Sequence, residues 1–276
     1  MKKIDAHQHF WQFDPVRDSW ITDDMFVIQQ DFLPEHLAPL LAENDFEGCV
    51  VVQSDQSEAE NLFQLKNAAE NKFVKGVVGW IDLRADDIEE KLSWYSKFEK
   101  LKGFRHVLQG EAQRDLMLEP SFMHGIGLLH QFGFTYDILI FPDQLPYVPS
   151  LAAAFPQQQF VIDHIAKPAI AAGEIANWKK NIEAVAKYTN VSCKVSGMVT
   201  EANWANWKQE DFTPYLDTIT QAFGEDRIMF GSDWPVCLVA ASYKQVIKIA
   251  ADYFSQFSSE VQNKFFNLNA SRFYKL

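Results

Sequence analysis

Eight short apolar runs alternate with helical stretches along the whole chain, and this alternation restricts the fold more than any other feature. The first run opens with Ile4-Asp5-Ala6 and ends in His7-Gln8-His9. The others cover residues 46–53, 74–81, 101–108, 134–139, 159–164, 191–196 and 227–233. Most are continuously apolar and β-branched rather than alternating, the pattern of strands buried on both faces of a parallel sheet. Helical periodicity lies between them, over 34–44, 57–70, 86–100, 175–188 and 211–223, with two further helices from Ser242. Ser57 with Glu60, and Asp86 with Glu89, have capping-box spacing, and Gly133 and Gly224 stand where helices stop. Eight strands alternating with helices predict a closed (β/α)₈ TIM barrel of the α/β class, with residues 1–276 as one domain. The alternative, an open doubly wound sheet, needs a glycine-rich first turn for phosphate. Here that turn reads His-Gln-His-Phe-Trp.

Composition narrows the partners. The formal net charge of −12 repels nucleic acid and anionic membrane surfaces, so neither is expected, and the partner is a small-molecule substrate. A homo-oligomer stays open. The first residues lack the apolar core of a signal peptide, and no stretch has the length and apolarity of a membrane span, so a cytoplasmic protein is expected. Cys49, Cys193 and Cys237 form no CxxC pair. The first two read as small buried hydrophobes, which fits a reducing compartment, and no base stands beside Cys237 in sequence to make it a nucleophile.

In a barrel of this kind the chemistry sits at the C-terminal ends of the strands. The polar residues there are His7 and His9 on the first strand, Gln53 on the second, Asp82 and Arg84 on the third, and Arg105 and His106 on the fourth. Tyr136 and Asp137 follow on the fifth, His164 on the sixth, Lys194 and Ser196 on the seventh, and Asp233 on the eighth. Side chains alternate along a strand, so His7 and His9 point the same way and Gln8 the other. Two such imidazoles can grip one metal ion or one substrate oxygen. Pro235 stops the last strand just after Asp233 and holds its carboxylate in place. His36, His124 and His130 lie in ordinary amphipathic helical surroundings and read as structural.

These motifs taken together resemble the amidohydrolase superfamily, in its amidohydrolase-2 branch of sugar lactonases acting on L-fucono- or L-rhamnono-lactone. The likeness rests on Asp5-Ala6-His7-Gln8-His9-Phe10-Trp11, Asp163-His164-Ile165-Ala166-Lys167-Pro168, Gly231-Ser232-Asp233-Trp234-Pro235 and Asn269-Ala270-Ser271-Arg272-Phe273-Tyr274. It implies a hydrolase that opens a lactone ester, with Asp233 as general base and His7, His9 and His164 polarising the carbonyl. Arg105, His106, Lys194 and Gln53 then become candidates for binding substrate, and Trp11 and Trp234 for walling its ring. The resemblance implies no obligatory metal. A divalent ion such as zinc, held by His7, His9, His164 and Asp233, remains an alternative, because metal-dependent members add histidines from middle strands and only His164 is evident there. Two rival activities stay open: a zinc-dependent amidohydrolase or decarboxylase acting on another small molecule, and a catalytically silent binding protein on the same barrel.

Overall fold

The buried apolar runs form the strands, several of them shorter than the runs themselves. The strands are β1 (Lys3–Gln8), β2 (Phe46–Val52), β3 (Val74–Gly79), β4 (Leu101–His106), β5 (Thr135–Ile138), β6 (Phe160–Ile162), β7 (Val191–Val195) and β8 (Ile228–Phe230). The computed structural model describes residues 2–276. Each strand pairs in parallel with the next in sequence, in the order β1 to β8. Residues just past β8 close the ring against β1: the Asp233 amide donates to the His7 carbonyl at 2.8 Å, and the His9 amide to the Trp234 carbonyl at 2.7 Å. The buried Asp5 carboxylate strengthens this seam, accepting the Ser232 amide at 2.9 Å and the Tyr243 hydroxyl at 3.1 Å. The expected TIM barrel is therefore present.

The outer layer consists of α1 (Pro34–Glu43), α2 (Glu58–Glu70), α3 (Ile88–Tyr95), α4 (Pro120–Leu129), α5 (Val148–Ala154), α6 (Ala176–Val185), α7 (Gln209–Phe223) and α8 (Tyr243–Phe254), followed by α9 (Ser259–Asn263) and α10 (Asn269–Tyr274). None of the described helices is long and apolar enough to cross a membrane. Two expected caps differ from the structure. Ser57 does cap α2, its Oγ accepting the Glu60 amide at 3.2 Å, but Glu60 turns its carboxylate to the amide and hydroxyl of Ser54 instead of returning to Ser57. Helix α3 starts at Ile88 without a side-chain cap and stops at Tyr95 rather than near Lys100. Beyond it the Ser96 hydroxyl bonds back to the Ser93 carbonyl at 2.8 Å, offering the backbone an alternative to another helical turn.

Inside the barrel, the lower layer is apolar: Ile4, Ala6, Val50, Val52, Val78, Val161 and Met229 meet Ala270, Phe273 and Tyr274. Helix α10 thus forms the floor. The Asn269 amide ties it to the barrel through the carbonyls of Glu225 (2.8 Å) and Ile228 (2.7 Å). Even-numbered residues of β1 face this core. A register irregularity between Asp5 and Gln8 then passes the inward face to the odd residues His7 and His9.

Candidate active site

Four of the expected residues converge above the floor. The Nε2 atoms of His7 and His9 lie 3.2 Å apart. The Asp233 Oδ1 is 3.4 Å from His9 Nε2, 3.8 Å from His164 Nε2 and 3.9 Å from His7 Nε2. All four side chains are nearly enclosed. Gln8 points away as alternation predicts, its amide on the Cys49 sulfur at 3.3 Å.

Local backbone explains how each is aimed. Strand β8 ends at Phe230, three residues before Asp233, so Pro235 does not terminate the strand at the carboxylate. Asp233 is held instead in a left-handed conformation (φ 58°) by its amide bond to His7 and by the Cys237 amide on its carbonyl at 2.9 Å. His164 likewise lies past the end of β6, at the head of four consecutive left-handed residues, His164, Ile165, Ala166 and Lys167 (φ 53°, 49°, 58° and 49°). Each costs a non-glycine residue about 1–2 kcal/mol. The Trp178 indole anchors this turn on the Ile165 carbonyl at 2.7 Å. Two glycines leave room for the imidazoles. A Cβ at Gly197 would stand 2.6 Å from His164 Nδ1, and one at Gly231 would stand 2.6 Å from His7 Cβ. Gly231→Ala should therefore displace His7 and destabilise the fold by about 1–3 kcal/mol, read as a lowered urea midpoint together with lost activity. A fully stable, fully active variant would show that the ring has slack.

Partner chemistry assigns the protons. His9 Nδ1 faces the Val52 carbonyl at 2.7 Å, and a carbonyl can only accept, so Nδ1 carries a proton and Nε2 is the nitrogen turned to the site. His164 Nδ1 is taken by the Ser196 hydroxyl at 3.0 Å. Burial lowers His7 and His164 well below the usual imidazole value, in spite of Asp163 beside the first and Asp233 beside the second, so both are neutral at pH 7. Burial works to raise the Asp233 carboxyl. The pull of His164, the His9 hydrogen bond and Lys167 outweigh it and hold Asp233 below its ordinary value.

Beneath these residues lies a charged layer that the strand-end reading only partly resolved. Lys194 is fully buried, its ammonium 2.5 Å from Asp137 Oδ2, 3.0 Å from Asp163 Oδ1 and 3.1 Å from His7 Nδ1. Hydrogen-bonded to Asp137 and His7 and paired by charge with Asp163, it sits below the His7 ring rather than in the open site. Arg105 is similarly committed, with Nη1 on Asp163 Oδ2 at 3.1 Å and Nη2 on the Gln53 carbonyl at 2.5 Å. Gln53 is enclosed and returns a bond to the Arg105 carbonyl at 3.2 Å. Burial pushes the Asp137 carboxyl up to about 6 although Lys194 opposes it. Burial also works against the Asp163 charge, but Lys194, His7 and Arg105 hold that carboxyl well below its usual range.

Other expected contacts fall around this centre. Both ring nitrogens of His106 are occupied, Nε2 by Glu111 at 2.6 Å and Nδ1 by the Trp80 indole at 3.2 Å. Trp11 and Trp234 are each 1% exposed. They pack edge-to-face on Phe32 between the first loop and the barrel rim, whereas the half-buried Trp80 stands beside His106. Asp163, Trp80, Glu111 and Tyr274 were not singled out by spacing. Asp163 carried a signal, since it directly precedes His164 in a strand-like run. Tyr274 carried none beyond its closing motif.

The donor set suits a divalent cation. Ligand atoms of one tetrahedral zinc lie roughly 3.3 Å apart, close to the separations given above, and atoms of His7, His164 and Asp233 all fall within 4.8 Å of one another. His9, its Nδ1 proton on the Val52 carbonyl, would offer Nε2 to such an ion. His7 would do so with its Nδ1 proton turned to Asp163 Oδ1, 3.2 Å away.

A family model described as Amidohydrolase matches residues 4–276. An L-fucono-1,5-lactonase of Burkholderia multivorans is 36% identical over 285 aligned positions, covering 99% of this chain and 96% of its own. An L-fucono-1,5-lactonase of Burkholderia ambifaria is 35% identical and covers 87% of this chain and 83% of its own. The crystal structure of a Burkholderia multivorans amidohydrolase with bound zinc matches all of both chains with a TM-score of 0.97 at 36% identity. From its first strand to its closing helix, the chain belongs to the amidohydrolase family.

Proposed function

We propose that the protein is a lactonase that opens a sugar-acid lactone of the L-fucono- or L-rhamnono-lactone type with water activated at Asp233. The observation that carries this reading is one carboxylate converging with three imidazoles, in a chain similar over its length to two L-fucono-1,5-lactonases. Asp233, ionised at neutral pH, accepts a proton from water as the oxygen adds to the lactone carbonyl. His164, its Nδ1 taken by Ser196, has Nε2 free to donate to the developing oxyanion. Collapse of the tetrahedral intermediate breaks the ring C–O bond, and the proton on Asp233 passes to the departing alkoxide, giving the open hydroxy acid. Lys194 and Arg105 keep His7 and Asp163 in place from below.

The substrate is a neutral ring rather than a dicarboxylate. A dianion calls for clustered, available guanidinium groups. Here Arg105 is spent on Asp163 and Gln53, Arg84 lies 3.3 Å from Asp82, and Arg114 lies 2.7 Å from Asp143.

A second reading, a zinc-dependent hydrolase or decarboxylase, is favoured by the fit of the donor set and by the zinc in the related crystal structure. A divalent ion held by His7, His9, His164 and Asp233 would supply Lewis-acid polarisation of a carbonyl. The test is kcat/KM over a panel of aldonolactones and 2-pyrone-4,6-dicarboxylate, before and after prolonged chelation with elemental analysis. L-Fucono- or L-rhamnono-lactone should be the best substrate, with most activity retained after chelation. Ten-fold better turnover of the dicarboxylate would overturn the substrate, and activity that tracks bound zinc would establish the second reading.

A further inference from the structure

Two loops seat His164, and each carries a charged group that has no part in binding so far. The turn that begins at His164 ends at Lys167, whose amide donates back to the His164 carbonyl at 2.8 Å. The loop after β7 brings Gly197 against the His164 ring and, four residues on, places Glu201 beside Lys167. The Ala171 amide donates to the Glu201 carbonyl at 2.9 Å and stitches the two loops together. The Lys167 ammonium lies 3.5 Å from Glu201 Oε1 and 5.8 Å from the centre of the Phe141 ring, on the loop after β5. The two charged side chains are 19% and 21% exposed, so the pair stands at the C-terminal rim of the barrel, above the fully buried layer around Lys194. Its field reaches the centre. Burial works to raise the Asp233 carboxyl, and Lys167 is among the charges that hold it down. Burial raises the Glu201 carboxyl, and the Asp233 charge adds to that rise against the pull of Lys167.

Lactone opening changes the charge at this place. The lactone is neutral, whereas the acid that replaces it carries a carboxyl whose ordinary value is about 4. At pH 7 that carboxyl gives its proton to solvent, and a carboxylate then stands where the lactone carbonyl stood, against the ionised Asp233. In a site this enclosed, two like charges need a cation between them. Lys194 and Arg105 are held by Asp137 and Asp163 at 2.5 to 3.1 Å. Arg84 and Arg114 are tied to Asp82 and Asp143 at 3.3 and 2.7 Å. Lys167 is held more loosely, since 3.5 Å is longer than the roughly 2.7–2.9 Å of a charge-assisted hydrogen bond. Its four-carbon stem and three rotatable donors let the ammonium change partner. We propose that Lys167 is the carboxylate-binding residue of the site: it leaves Glu201 to meet the carboxylate of the opened lactone, and Glu201 takes it back as the product departs. One ammonium matches one carboxylate, which accords with a monocarboxylic sugar acid as the product.

This inference rests on the lactonase reading, and its test separates the two. Inhibition of L-fucono-1,5-lactone hydrolysis by the product, L-fuconate, gives a Ki to set beside KM. Lys167→Met should raise that Ki by about 10-fold, the size of a lost hydrogen bond to a charged group, while KM for the neutral lactone stays within about two-fold. Lys167→Arg keeps the charge and should recover most of the product affinity. Glu201→Gln removes the competing carboxylate and should lower the Ki by about three-fold. A purely structural role for the pair would move KM and Ki together and would not give the two variants opposite signs. An unchanged Ki in folded Lys167→Met overturns the proposal, as does a Ki that rises only in step with KM. If Lys167→Met does not fold, Glu201→Gln decides, and an unshifted Ki there overturns it. An active parent with unshifted Ki values refutes this inference alone, whereas a parent inactive on every lactone refutes the lactonase reading and this inference with it.

Discussion

Asp233→Asn should reduce kcat/KM by about 10³-fold while the protein stays folded, the size of effect expected when a positioned general base is removed. The amide matches the carboxylate in shape but accepts no proton. The backbone bonds that seat residue 233, from its amide to His7 and from Cys237 to its carbonyl, do not involve the side chain. Its histidine contacts of 3.4 to 3.9 Å are long, so little stability is at risk. A carboxyl held below its ordinary value is ionised throughout the neutral range but has low proton affinity. Its contribution must come from where it holds the water rather than from basicity. Lactone turnover measured beside the circular dichroism melt decides the matter, and near-parental turnover in a folded variant would remove Asp233 from the mechanism.

The largest effect on stability should come from Lys194→Met. The methionine fits the space, but Asp137 then lies buried without a cation, and Asp163 keeps only Arg105. Stranding buried charges in this way costs about 3–5 kcal/mol, which for a domain of this size is a fall in Tm of about 10 °C. Adding Asp137→Asn to Lys194→Met should recover about 1–3 kcal/mol, because one stranded charge is removed. Equilibrium urea unfolding of the two variants tests both statements. A Lys194→Met protein as stable as its parent would mean that the two carboxyls already share a proton and need no cation.

The barrel was legible because parallel strands buried on both faces must be written as continuous apolar runs, and all eight of those runs became strands. The histidine pair was legible because period-two alternation is local. The depth of a residue inside the barrel is not local. Lys194 and Arg105 look like strand-end groups in sequence, yet both turn their charges onto buried carboxylates, Lys194 onto Asp137 and Asp163 and Arg105 onto Asp163. The left-handed turn from His164 to Lys167 was invisible for another reason. It contains no glycine or asparagine, the residues that ordinarily announce that conformation. Tyr274 lies 137 positions from the carboxylate it serves, beyond the reach of any spacing argument.

The seam that closes the ring has a consequence for the order of folding. Ser232 and Asp5 are 227 positions apart, and the amide of Asp233 docks on the carbonyl of His7 over a similar span. Contacts of that separation carry a high loop-closure cost and form late, after the local βα units have paid their own entropy. The strand that carries the two histidines therefore waits through nearly the whole of translation for the segment that carries their carboxylate. A nascent or partly unfolded chain can hold many of the βα units of this barrel and still have no catalytic centre at all.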